Sequence, residues 1–133
     1  MAKEKLLIVD DEKNFVEMLS ERLEAKGFDI VKAFNGKEGL EKAHSEKPDL
    51  VILDVIMPDM DGYGVCRKLK LEGNFKETPV IMLTAKFQPN DVEFGKKMGA
   101  DAYFTKPLEL DVLLHKVSAL LRMKRKNAKR RSL

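Results

Sequence analysis

Apolar residues recur along this chain in two alternating spacings. Lys5 to Asp10 (KLLIVD) is a short, nearly continuous apolar run ending in an acid, which predicts a strand covered on both faces. Phe15, Leu19 and Leu23 then recur four residues apart, with Met18 beside them, and Gly27 stands where a left-handed helix stop is expected. Phe28 to Phe34 reads as a second strand, and Asn35 with Glu38 forms a helix-starting capping pair ahead of Leu40 and Ala43. Leu50 to Leu53 (LVIL), the most apolar strand, runs into Asp54. Met57 to Gly62 (MPDMDG) is then a loop, and Tyr63 to Leu71 a helix closed by Gly73. Pro79 to Leu83 (PVIML) suits a strand opened by proline and reaches Thr84, with a helix from about Asn90 to Met98 before Gly99. Ala102 to Thr105 is a short fifth strand. Leu110, Leu113, Leu114, Val117, Leu120 and Leu121 fall on one stripe of a final helix. Five strands alternating with five helices predict an α/β fold with right-handed crossovers, a five-stranded parallel sheet and helices on both faces; no gap is long enough for a second domain.

The polar residues that interrupt this plan fall at the carboxyl ends of strands: Asp10 and Asp11 after the first, Asp54 after the third, Thr84 after the fourth and Lys106 after the fifth. In an open α/β sheet those ends form one rim, where ligands bind near the reversal of strand order. Three carboxylates brought together there repel one another unless a cation neutralises them. An all-oxygen donor set without His or Cys selects a hard ion such as Mg²⁺.

Composition narrows the function classes. A length of 133 residues with 44% hydrophobic and 35% charged residues describes one globular domain rather than a disordered or low-complexity chain. The longest apolar runs fall far short of the roughly 20 residues needed to cross a bilayer, and no secretory signal opens the chain, so a cytoplasmic location is expected. The single cysteine, Cys66, excludes an internal disulfide or a multi-thiolate metal site and reads as a small apolar helix residue. The net charge of +3 conceals an asymmetry: Arg122 to Leu133 carries seven bases and no acid, whereas residues 1–121 hold 18 bases against 22 acids. Any contact with nucleic acid or a membrane surface would rest on that last segment, whose plainer reading is a solvated helix extension or the start of a linker.

Taken together, Asp10-Asp11, the LVILD string ending at Asp54, the MPDMDG loop, Thr84-Ala85 and Lys106-Pro107 resemble the receiver domain of bacterial two-component response regulators. The similarity covers residues 4 to about 122, which leaves 123–133 as a basic tail or linker start. The resemblance implies a flavodoxin-like three-layer sandwich with strand order 2-1-3-4-5. Asp54 would then be the phosphoacceptor, taking a phosphoryl group from a sensor histidine kinase or phosphotransfer protein that docks chiefly through the first helix. Asp11, Asp54 and the carbonyl of Ile56 would bind Mg²⁺ directly, with Asp10 acting through a metal-bound water. Lys106, before a cis proline, would pair with Asp54 and later with a phosphoryl oxygen. Thr84 and the N–H of Ala85 would donate to the new group, and Thr84 and Tyr103 would move together to bias an output face made by the fourth helix, fifth strand and fifth helix. The resemblance further implies a monomer or a weak, phosphorylation-dependent dimer, and a regulator that either stands alone or belongs to a longer protein.

Other features receive plain readings. His44 and His115 are expected to lie on helices without a catalytic role, and Asp59 and Asp61 to be turn residues. Neither a G-x-G-x-x-G nor a P-loop pattern is present. A haloacid-dehalogenase-type phosphatase would need an acid two positions after the nucleophile, where Ile56 stands, so a non-enzymatic phosphoacceptor is preferred. Ile56 and Lys86, which flank the attacking water in the family, offer no carboxamide or acid to orient it, so slow loss of the phosphoryl group is expected.

Overall fold

The computed structural model of the protein describes residues 3–85 and 89–131. Five strands, β1 (Lys5–Val9), β2 (Asp29–Ala33), β3 (Leu50–Asp54), β4 (Val80–Thr84) and β5 (Ala102–Thr105), pair in parallel in the order β2-β1-β3-β4-β5. Between and after them run α1 (Lys13–Ala25), α2 (Gly36–Glu46), α3 (Gly62–Leu71), α4 (Pro89–Lys97) and α5 (Leu110–Arg131), with a short 3-10 turn at Gly73–Phe75. The order 2-1-3-4-5 and the alternation of five strands with five helices agree with the expected topology.

Because strand side chains alternate, each central strand feeds two cores. Leu7, Val9, Val51, Leu53, Val80 and Met82 pack with Ala43 of α2 and with Val65, Cys66 and Leu69 of α3. Leu6, Ile8, Leu50, Ile52, Ile81 and Leu83 pack on the other side with α1 and α5. Burial on both faces explains why these strands read as continuous apolar runs.

The helices depart from expectation in two places. The buried stripe of α1 keeps Leu19 and Leu23 as expected but adds Val16 and Ser20, while Met18 is 44% exposed and Phe15 packs half-buried at the flank. Gly73 is not a left-handed stop: α3 ends at Leu71, Glu72 is extended with φ −91°, and Gly73 opens the 3-10 turn that buries Phe75. Gly27, by contrast, has φ +98° and does end α1 as expected. The last helix takes the first of the two plain readings of its basic end, a helix extension. The helix predicted from the Leu110–Leu121 stripe continues unbroken to Arg131, and ion pairs tie its end to the body: Lys124 to Asp49 at 3.6 Å, Arg125 to Glu4 at 2.6 Å and Arg131 to Glu77 at 2.8 Å.

Candidate functional site

Strand register delivers the site. Val9 lies opposite Leu53 in the β1–β3 pair, so one residue further on Asp10 and Asp54 emerge side by side at the carboxyl rim. Asp10 is buried at 1% exposure and Asp54 at 6%, while Asp11 is exposed; a carboxylate oxygen from each lies within 4.8 Å of the other two. Asp10 is fixed at both ends, its N–H donating to the Ala33 carbonyl at 3.1 Å and its Oδ1 accepting from the N–H of Glu12 at 3.0 Å.

Lys106 reaches this cluster from the end of β5, past β4 and β3. Its own N–H donates to the Thr84 carbonyl at 2.7 Å, which anchors the turn leaving β5, and the Lys106–Pro107 bond is cis as expected. The ammonium Nζ lies 2.6 Å from Asp10 Oδ2, 3.0 Å from Glu12 Oε1 and 3.8 Å from Asp54 Oδ1, with the Phe15 ring centroid 4.3 Å away. In this state its closer partners are Asp10 and Glu12, and Asp54 is the more distant one. Glu12 was not singled out in the sequence and Phe15 was read only as part of the apolar stripe of the first helix; both follow the first strand end, where only the fold reveals that Lys106 arrives.

One ammonium faces two buried carboxylates and two exposed ones, so negative charge is in excess. Burial, then the neighbouring Asp10 charge, pushes the Asp54 carboxyl up to about 7 against the opposing pull of Lys106. Asp10 is also raised, by burial first, although hydrogen bonds from Lys106 and the Glu12 N–H oppose it. Burial alone would lower the Lys106 ammonium, but its bonds to Asp10 and Glu12 prevail and leave it raised. This surplus of hard oxygen donors fits a divalent cation, and the acidic cluster of Asp10, Asp11 and Asp54 could hold one.

The loop after β3 is held by acids. Asp59 accepts from the N–H groups of Gly36 at 3.0 Å and Lys37 at 2.9 Å, bridging to the start of α2, and these bonds hold its carboxyl below the usual range. Asp61 caps α3 by accepting from Gly64 N–H at 2.8 Å. Both sit in turns as expected, but the Asp59 bridge spans 23 residues and carries no local signal. Gly62 is required here, since a Cβ on it would collide with the carbonyl oxygen of Asp54. Ile56, at the start of the loop, is 51% exposed.

Thr84 ends β4 and is buried beside the last residues of β5, pairing in register with Thr105. Tyr103 lies two residues before Thr105, and its hydroxyl is 3.2 Å from that of Tyr63 on α3. Burial is the main reason its phenol titrates far above the ordinary range, with Tyr63 adding to it. Lys86 lies outside the described residues. Next to Lys106, residues Phe15, Met18, Arg22, Pro107, Leu108 and Leu110 line a largely apolar groove of about 530 Å³ between α1 and the start of α5. His115 is exposed, and His44 is half-exposed but paired with Glu72 at 2.6 Å. Among the described residues no helix is long and apolar enough to cross a membrane.

Comparison with known proteins gives one answer. Residues 6–118 match the response regulator receiver domain family. Over 118 residues the chain is 43% identical to the alkaline phosphatase synthesis transcriptional regulatory protein PhoP of Bacillus subtilis, covering 89% of this chain and 48% of that protein. Over 117 residues it is 38% identical to protein PilH of Pseudomonas aeruginosa, covering 88% and 97%. A CheY-like response regulator receiver domain protein from Methanospirillum hungatei superposes with a TM-score of 0.88 at 31% identity, over 95% of this chain and 99% of that one. The chain thus spans about half the length of the transcriptional regulators it matches.

Proposed function

The chain belongs to the response regulator receiver domain family, and from that premise we propose that Asp54 is the residue that accepts the phosphoryl group. The observation that carries this reading is the rim itself: Asp54 stands beside Asp10 and Asp11 with the Lys106 ammonium 3.8 Å away. A carboxylate is a weak nucleophile toward an anionic phosphoryl group, so charge cancellation and alignment must do the catalytic work. One Asp54 oxygen forms a bond to phosphorus as the bond from phosphorus to the donor imidazole nitrogen breaks, leaving an aspartyl phosphate and a histidine.

Asp11, Asp54 and the Ile56 carbonyl would hold Mg²⁺ directly, with Asp10 reaching it through water. The ion would supply charge neutralisation for the transferring oxygens. Lys106 would leave Asp10 and Glu12 to pair with a phosphoryl oxygen, while Thr84 and the N–H of Ala85 donate to others. Thr84 and Tyr103 then shift together and alter the face formed by α4, β5 and α5.

The partner is a sensor histidine kinase or a phosphotransfer protein, and the groove beside α1 opens next to Lys106, where a donor helix must approach. We place the receiver domain at residues 1–122 and read the rest of α5 as a helical extension. The three ion pairs of Lys124, Arg125 and Arg131 with the body reduce its charge for nucleic acid or a membrane surface. The protein works in the cytoplasm as a monomer or a weak dimer favoured by phosphorylation. It acts as a stoichiometric phosphoacceptor rather than as a phosphatase turning over free substrates.

Incubation with acetyl phosphate and Mg²⁺ should add one phosphoryl group to the wild type and none to Asp54→Asn, as read by intact-protein mass. Undiminished labelling of the variant would refute Asp54 as the acceptor.

A further inference from the structure

The family reading assigns Tyr103 a switching role, but it does not say what holds that ring where it is. In this chain the holder is a second tyrosine. Tyr63, in the first turn of α3, places its hydroxyl 3.2 Å from that of Tyr103 and 3.4 Å from the backbone carbonyl of Asp91 in the first turn of α4. The Asp91 carbonyl can only accept, so Tyr63 donates to it and Tyr103 donates to Tyr63. A directed chain of hydroxyls therefore runs from β5 through α3 to α4.

Packing supports the same arrangement. The Phe94 ring of α4 meets Tyr63 edge-on, with centroids 4.7 Å apart at 89°. Buried Gly95, one residue later, lets both tyrosines close against the helix: a Cβ there would lie 3.2 Å from Tyr103 Cδ2 and 3.6 Å from Tyr63 Cε1. One turn further, Cys66 on α3 donates its thiol to the Met98 carbonyl at 3.4 Å. Along this flank, then, α4 leans on α3, and the half-buried Tyr103 ring lies against the contact.

We propose that Tyr63 is a positioning residue that holds Tyr103 turned beneath α4 and transmits its position to α4 through the Asp91 carbonyl. The proposal rests on the phosphoacceptor reading only in naming phosphorylation as the input. If Tyr103 turns out from this place, its hydroxyl leaves Tyr63 and the chain to α4 is cut. If it turns in, α4 gains a partner. A ligand-driven change at Thr84 could then move α4 only as far as the two arrangements differ in energy, and the Tyr63 hydroxyl supplies part of that difference.

The chain contains two tyrosines and no tryptophan, so tyrosine signals report on this pair alone. With ring-labelled tyrosine, Tyr63→Phe keeps the ring that meets Phe94 edge-on and leaves one NMR signal, that of Tyr103. In the unphosphorylated variant this signal should move toward the position of a solvent-exposed tyrosine, the population of the inward ring falling about three- to tenfold relative to the outward one. Under acetyl phosphate and Mg²⁺, Asp54 should still gain its phosphoryl mass, while the accompanying amide shifts of α4 shrink. Tyr103→Phe should reduce the α4 response similarly, and the double variant should lose little more than either single one. A Tyr103 signal and α4 shifts in Tyr63→Phe that match the wild type would overturn the proposal, as would additive losses in the double variant. Absence of phosphoryl gain in the wild type would instead overturn the Asp54 assignment, and the unphosphorylated Tyr103 signal would still decide the role of Tyr63.

Discussion

Lysines meet carboxylates at both ends of this sheet, but on different terms. At the amino rim, acids serve strand starts: Asp49 Oδ2 accepts the Lys5 N–H and Asp101 Oδ2 accepts the Val80 N–H, each at 2.8 Å. Lys124, Lys70 and Lys5 then pair with Asp49, Asp101 and Glu46 at 3.2 to 3.6 Å, in groups that share roughly one cation for each acid and remain partly open to water. At the carboxyl rim a single Lys106, its side chain 11% exposed, faces Asp10, Glu12 and Asp54. The first rim is electrostatically closed and fixes the fold. The second is left in deficit of positive charge, which is a state suited to receiving a cation and then a phosphoryl group rather than to stability.

Removing one cation at each rim should expose the contrast most strongly. Lys106→Met leaves buried Asp10 and Asp54 without their ammonium and should cost about 3 kcal/mol of unfolding free energy in metal-free buffer near pH 7.5, softened by proton uptake on the acids. Lys124→Met breaks a partly exposed pair and should cost less than about 1 kcal/mol. Urea denaturation of both variants checks this, and equal losses would erase the distinction between the rims.

Removing a charge from the deficient side should have the opposite sign. Asp54 keeps its proton in the native protein up to about 7, whereas the unfolded chain releases it near the ordinary carboxylate value of roughly 3.9. Between those values the native state binds more protons, so without metal the wild type should lose stability as pH rises from about 4 to about 7. Asp10, raised as well, acts in the same direction. Asp54→Asn should flatten that slope and be more stable than wild type by about 1–3 kcal/mol at pH 8. Adding Mg²⁺ at pH 8 should raise the melting temperature of wild type more than that of the variant, because binding to the native state stabilises it by mass action. Thermal melts across pH with and without EDTA measure both effects.

A smaller effect is expected on the lifetime of the modified site. Ile56 stands half in solvent beside Asp54 and offers no group to orient a water. Ile56→Asn supplies a carboxamide and should speed loss of the acyl phosphate about tenfold, roughly 1.4 kcal/mol of barrier. Decay followed by mass or by radiolabel release with Mg²⁺ present tests it. Equal decay in the two proteins would show that Ile56 does not set the lifetime.

How far the sequence could reveal these two rims follows from the range of the interactions. The strand ends were legible because each acid terminates an apolar run, so Asp10, Asp54, Thr84 and Lys106 could be placed on one rim by periodicity alone. The Asn35 cap was legible too, since it accepts from Glu38 N–H three residues on. The Asp59 bridge to α2 was not, nor was the seat of Lys106 on Glu12 and Phe15, because partners 23 and 94 residues apart leave no periodic trace. The α1 stripe was legible at Leu19 and Leu23, but Ser20 was not, because a polar residue gives no apolar signal for its burial, and the apolar Met18 stays exposed. Gly73 misled for a related reason: a 3-10 turn that buries Phe75 outweighs the usual glycine stop. Tyr63 read as an ordinary first residue of a helix, and only the approach of β5 and α4 gives it a role.

The smallest expected effect lies near the amino rim, on the flank where the last turn of α2 meets the end of α3. His44 places Nδ1 2.7 Å from the Leu40 carbonyl and Nε2 2.6 Å from Glu72 Oε2, with Phe75 edge-on at 5.4 Å. Both neighbours only accept, so the ring satisfies both contacts only as imidazolium, and its pKa is raised, by the Leu40 carbonyl first and by Glu72 next. A histidine raised in the folded state contributes stability that is complete below its unfolded value of roughly 6.5 and fades as pH climbs through the folded value. Its side chain is half-exposed, so water screens the pair and the contribution should be a few tenths of a kcal/mol. His44→Gln should therefore melt slightly below wild type at pH 6 and together with it at pH 8. A gap that widened toward pH 8 would reverse the sign and show that the neutral ring, not the imidazolium, makes the contact.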